Sequence, residues 1–204
     1  MMPVALERIE KLGHRVYTAG DYNLNLFGIR ASERQAGAFD DALGCAYRVG
    51  GQWRVHYWQA TTDPGWLYLD GASERFGVDG TAILCPGQYL GAYTIGPHGR
   101  TRYDALIQSD DVAVFRDANR DHVLDTAPET IAHGHFGINI HAAAVYPYDE
   151  KANDTLASIG PWSAGCQVHA RTAGFREMMT LCRRQLEAHP TWVRFSYTLL
   201  DQWW

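Results

Sequence analysis

The chain has 204 residues, of which 46% are hydrophobic and 20% charged, a composition that supports a buried core and excludes both a disordered segment and a disulfide-dense scaffold. Its formal net charge of −5, from 23 acidic and 18 basic residues, comes with no block of consecutive lysines or arginines, which argues against a nucleic-acid partner. No apolar run approaches the ~18 residues that a membrane span requires.

In chain order, the opening stretch MMPVALERIEKLGH interleaves Glu7, Arg8, Glu10 and Lys11 with Val4, Leu6, Ile9 and Leu12. That pattern predicts a short amphipathic helix and lacks the continuous apolar segment of a signal peptide. Residues 1–20 are accordingly expected to form a helical extension of a single domain covering 1–204. Alternation with period two predicts strands in YNLNLFGIR, QWRVHYWQA, TAILC, GQYLGAYTIG, DVAVFRD, FGINIHAAAV and VRFSYTLL. Turn-rich stretches such as RVGGQ, TTDPG and GPHGR separate them. TAGFREMMTLCRRQLEAHP predicts one strong helix, with Thr172 as N-cap, Phe175, Met178, Met179, Cys182 and Leu186 on one stripe, and Pro190 as the stop. The fold class that follows is mainly β with a few helices, an α+β domain.

Four cysteines are present, Cys45, Cys85, Cys166 and Cys182, with no C-x-x-C pair, and free thiols are expected. Cys45, Cys85 and Cys182 sit among apolar neighbours and suit the core. Cys166 does not: it lies in SIGPWSAGCQVHA, where Gly160, Pro161, Ala164 and Gly165 bend the backbone and offer little bulk to cover a sulfur. A nucleophilic thiol needs a base within reach. In FGINIHAAA the alternation turns Ile138 and Ile140 one way and Asn139 and His141 the other, which makes His141 the candidate.

A strand ending in His141, the loop glycine Gly160, and Ser163-Ala164-Gly165-Cys166 resemble the motif of the YkuD family, the L,D-transpeptidase catalytic domain, over about residues 80–168. There a strand histidine, commonly I-H-G, precedes S-x-G-C with a basic residue two places on. Here HAAA replaces H-G, Val168 replaces the basic residue, and the 25-residue separation (166 − 141) is slightly long.

The resemblance implies a β-sandwich or mixed-sheet domain with a late helix, and a peptidoglycan stem peptide as donor. Cys166 would be the nucleophile and His141 the base, with the Ser163 carbonyl orienting His141 and amides around Gly165 and Cys166 facing the oxyanion. It implies no cofactor or metal. Trp162 and Tyr89 are candidate substrate walls, and Gln167, His169 or Arg171 could replace the missing basic residue. Without a visible signal peptide, the expectation is synthesis in the cytoplasm and delivery to the periplasm or cell wall by a phage or a secretion system.

Two other readings accompany this one. A metal-dependent peptidoglycan hydrolase would use His133, His135 and His141, although H-E-x-x-H is missing. A non-catalytic cell-wall-binding module would keep the glycine turn only as a connection. DANRDHVLD places Asp117, Asn119, Asp121 and Asp125 like part of a calcium loop, but His122 and Pro128 replace its turn glycine and closing glutamate, so an Asx turn is expected.

Overall fold

The computed structural model of the chain describes residues 1–72, 80–149 and 159–201. Helix α1 (Val4–Lys11) leads into β1 (Asn25–Arg30), β2 (Asp41–Val49) and β3 (Gln52–Thr61), then the single turn α2 (Trp66–Leu69). Next come β4 (Thr81–Leu84), β5 (Gly87–His98), β6 (Tyr103–Gln108), β7 (Val112–Asp117) and β8 (Ala132–Gly134). The short β9 (Ile140–Ala142) and β10 (Gln167–His169), helix α3 (Thr172–Ala188) and β11 (Phe195–Asp201) complete the order. The described chain is therefore mostly β with three helices, as its composition and alternation predict. None of those helices is long and apolar enough to cross a membrane.

Eight strands close into a barrel in the order β1-β11-β5-β6-β9-β10-β3-β2, and β4-β7-β8 form a separate three-stranded sheet. Pairing in the barrel is antiparallel except at β1–β11 and β9–β10. One apolar cluster joins barrel residues such as Leu26, Leu43, Tyr93, Leu106 and Ile140 to Leu84 and Val114 of the small sheet and to Phe175, Met178 and Cys182 of α3. A second cluster lies on the other face of β1 and β2, where Ala5, Leu6 and Ile9 of α1 cover Phe27, Ile29, Ala46 and Leu200. Burying a leucine or isoleucine side chain contributes about 1.5–3 kcal/mol, so α1 is held by packing, not by its own eight residues of helix.

Both faces of β1 and β2 are thus covered, which removes the polar alternation a one-sided strand would show. Helix α3 begins one residue earlier in function than its sequence suggests: the N-cap is Arg171, in extended conformation, and Thr172 is the first helical residue, buried at 2% exposure. All four cysteines are unpaired, and Cys45, Cys85 and Cys182 are buried as expected.

Candidate active site

Cys166 stands directly before β10, which runs parallel to β9 with Gln167 opposite Ile140 and Val168 opposite His141. The Gln167 amide donates to the Asn139 carbonyl at 2.9 Å and locks this register. Alternation then places Asn139, His141 and Cys166 on one side of the ladder. Cys166 and His141 are on adjacent strands two residues out of step, roughly 7 Å along the strands and about 5 Å across. The half-buried sulfur lies 3.4 Å from the Asn139 amide, which donates to it, and its own proton points to the Gly137 carbonyl at 3.4 Å. Among the described contacts, no hydrogen bond joins the thiol to the imidazole.

His141 is buried at 3% exposure, and its Nδ1 lies 2.9 Å from the Ala142 carbonyl. A carbonyl only accepts, so Nδ1 carries the hydrogen and Nε2 is left with the lone pair. Burial, the neighbouring His98 and, more weakly, His169 lower its pKa to about 3, against the support of that hydrogen bond. Burial pushes the Cys166 thiol up to about 11, opposed by the Asn139 amide. The resting pair is therefore neutral thiol and neutral imidazole, not the ionised pair that reactive cysteines often form.

His98, at the end of β5, stacks on His141 with ring centroids 4.1 Å apart. The stretch GPHGR suggests only a turn, and no sequence feature singles His98 out. Asn139 Oδ1 accepts the Gln108 amide at 2.9 Å, which turns its Nδ2 toward His98 Nδ1 at 3.3 Å. Nδ1 of His98 is then the acceptor and Nε2 bears the hydrogen. Gln108, buried at 2% exposure, also accepts the Phe136 and Ile138 amides through Oε1 and so fixes the segment that presents Gly137 and Asn139 to the sulfur.

Ser163 has a different role from the one the resemblance implies. Its carbonyl accepts the Gly65 amide at 2.9 Å, while Ala142 orients His141. Its hydroxyl donates toward the Asp63 and Cys166 carbonyls at 3.0 and 2.9 Å and accepts the Gly165 amide at 3.2 Å, which clamps the turn. The Gly165 amide is thereby engaged, whereas no hydrogen bond from the Cys166 amide is found among the described residues, which leaves that amide as the candidate oxyanion donor of this turn. Gly165 has φ +117°, and a Cβ there would collide with the Ala82 carbonyl of β4. Below the turn, the buried Arg30 guanidinium binds Thr62 Oγ1, the Thr62 and Leu84 carbonyls, and Asp63 at 3.2 Å, so the 61–65 segment under Ser163 is rigidly held.

Of the expected substrate residues, Trp162 is half-buried. It lines a groove of about 260 Å³ with His98, Arg100, Thr101, Tyr103, Ala144 and Val145. Thr101 and Tyr103 also line an adjoining cleft of about 220 Å³ toward Tyr146 and Tyr148. The others are corrected by their positions. Gln167 and His169 alternate with Cys166 and point into the barrel, where Gln167 accepts the Tyr197 hydroxyl at 2.9 Å and His169 Nε2 faces Met178 Sδ at 3.3 Å. Tyr89 packs on the main core and donates to the Cys85 carbonyl at 2.6 Å. Arg171 caps α3 and lines neither the groove nor the cleft. Arg100 is the basic side chain of the groove, and no motif in GPHGR points to it. A larger concavity of about 510 Å³ near Trp192 and Arg194 contains none of these groups, so chemistry and not size locates the site.

The histidines of the metal-hydrolase reading are separated. His135 donates from Nε2 to the Gln108 carbonyl at 2.8 Å, His133 lies exposed on β8, and His141 is enclosed with His98. No group of three or more His, Cys, Asp or Glu side chains is preassembled around a metal position among the described residues. Comparison with protein-family models, with curated proteins and with solved structures finds no match to this chain.

Proposed function

We propose that the chain is a divergent YkuD-type enzyme, a cysteine acyltransferase of L,D-transpeptidase character that acts on peptidoglycan stem peptides through a thioester on Cys166. The observation that supports this reading is the parallel β9–β10 pair, which sets His141, with Nε2 free to accept a proton, on the same face as the half-buried thiol just before β10, while the His98 ring stacked on His141 lines an open groove.

In this mechanism the substrate carbonyl enters against the Cys166 amide. Sγ attacks the carbonyl carbon as its proton passes to His141 Nε2, so that no free thiolate accumulates beforehand. The oxyanion is held by the Cys166 amide, a type of contact worth about 3 kcal/mol of barrier. Collapse breaks the C–N bond, the leaving amine takes the proton from His141, and the thioester remains. An acceptor amine then gives transpeptidation, and water gives hydrolysis as a carboxypeptidase or endopeptidase.

Intact mass spectrometry after incubation with purified muropeptides or a carbapenem tests the reading. An acyl adduct on the native protein and none on Cys166→Ala is the expected result. Native protein without adduct, or equal adducts on both, would sink it. We further propose synthesis in the cytoplasm with delivery to the wall by a phage or a secretion system; a native protein confined to the cytosol, with no lytic or secretion genes beside its own, would count against that route.

A further inference from the structure

The β7–β8 connection carries Asp117, Asn119, Asp121 and Asp125, oxygen donors at relative positions 1, 3, 5 and 9. Its backbone enters the left-handed region at the intervening Arg120 and His122, with φ of 62° and 65°. Two Asx turns shape it, with Asn119 Oδ1 accepting the Asp121 amide at 3.1 Å and Asp121 Oδ1 the Val123 amide at 2.8 Å, and a longer bond closes it, Asp117 Oδ2 accepting the Asp125 amide at 3.0 Å. Those bonds match the expected Asx geometry and account for the loop's shape.

They do not account for Asp117. This residue is 3% exposed, and its Oδ1 has no hydrogen-bond partner among the described residues. Its other oxygen is bonded across the loop to Asp125, so the carboxylate faces the loop. Burial, and then the Asp125 and Asp121 carboxylates, push its acid above the ordinary range, against the amides of Asp125 and Asn119, which hold it down. A buried carboxylate oxygen with no donor is costly, and a cation removes that cost. Asn119 Nδ2 now donates to Asp121 Oδ2 at 3.0 Å and Asp125 Oδ2 at 2.8 Å. A donor thus occupies the point where two carboxylates meet, which explains why the loop is not preassembled as a metal centre. Presenting oxygen there instead requires the amide to turn and give up its bond from the Asp121 amide.

We propose that this loop binds a calcium ion through the carboxylates of Asp117, Asp121 and Asp125, the Asn119 amide oxygen and the Val123 carbonyl. An all-oxygen set on a flexible loop suits calcium better than zinc, which prefers nitrogen and sulfur, or magnesium, which demands a tighter octahedron. Pro128 stands where tight loops have a bidentate glutamate, so the affinity falls in the weak class, with Kd about 10⁻⁴–10⁻³ M. The ion would brace β7, whose Asp117 pairs with Thr81 of β4, next to the Ala82 carbonyl on which the Gly165 turn rests.

Thermal unfolding of EDTA-dialysed full-length protein, with CaCl₂ or MgCl₂ at matched ionic strength, tests this. The expected result is a rise in Tm of about 5 °C or more in 10 mM CaCl₂, little response to MgCl₂, and no calcium response in Asp121→Asn, an exposed position where the amide is tolerated. The Trp66 ring lies 6.3 Å from that of His122, so terbium bound in the loop should luminesce on indole excitation and be displaced by calcium. Trp66→Phe should lose that emission and keep the calcium-induced rise in Tm. Unfolding indifferent to CaCl₂, or raised equally in Asp121→Asn or by MgCl₂, would overturn the proposal.

Discussion

His98 lies nearly flat against His141, with planes 24° apart, and covers the imidazole that shares a ladder face with the Cys166 thiol. The enclosed ring resists protonation until about pH 3. A general base works in its neutral form, so acylation kcat/KM should show no acid limb near pH 6.5 and stay level to about pH 5. His98→Ala opens the ring to water and removes a neighbouring imidazole, both of which raise the His141 pKa. Its acid limb should therefore move toward neutrality. An unshifted limb in that variant would show that His98 does not set the base's acidity.

The high pKa of Cys166 makes a second expectation concrete. Because the thiol titrates only near pH 11, its alkylation by iodoacetamide should climb about tenfold per pH unit from pH 7 to 10, without a plateau at neutrality. Cys182, buried in α3 with its thiol pushed up to about 12, should remain unlabelled while the protein is folded. Peptide mapping of alkylated sites across that range checks both. A neutral plateau at Cys166 would mean that thiol and imidazole form an ion pair after all.

Gly165→Ala should destabilise the fold and not merely slow the reaction. The added methyl meets the Ala82 carbonyl, a backbone atom that cannot step aside, at a φ that disfavours any side chain. A loss of about 2 kcal/mol or more is expected in urea unfolding, together with lost acylation.

Acid should weaken the protein through two buried imidazoles. His141 and His169 keep their protons off until about pH 3 when folded, whereas unfolded imidazoles bind them near 6.5. Their contribution is complete above about pH 6.5 and is lost as pH falls toward 3, at roughly 1 kcal/mol per pH unit for each. Asp41 acts in the opposite sense: burial and Asp63 push its acid up to about 6, so between pH 6 and 4 the folded state gains a proton there first and recovers part of the loss. Denaturant midpoints at pH 7.5 and 5 should show a net decrease. His169→Leu, which also removes a buried Nδ1 lacking a partner, should flatten that dependence.

The legible parts of the fold are those where one face meets core and the other solvent. The three-four spacing of Phe175, Met178, Met179 and Cys182 locates α3, and β11 keeps a period-two rhythm at Phe195, Tyr197 and Leu199 on the main core even though α1 covers Leu200 on its other face. β2 was illegible because Ala46 faces α1 while Leu43, Cys45 and Tyr47 face the main core, which leaves DALGCAYRV with no polar rhythm. In the site, Cys166 and His141 follow from local pattern. Gln167 and His169 were misassigned although alternation from Cys166 already turns them inward. His98, Arg100 and Gln108 come from the β5–β6 hairpin, some 30 or more residues from His141 in sequence, and only the barrel's closure brings them to it.

The ring itself closes through β11, which slots between β1 and β5. Leu26 pairs with Tyr197 across that seam, so the first strand of the barrel stays unsatisfied on one edge until the eighth has been made. The barrel therefore stays open until residues 195–201 are in place, and its slow folding step should be the capture of that strand by an already formed β1–β2–β3 sheet, with an exposed β1 edge open to chaperones until then.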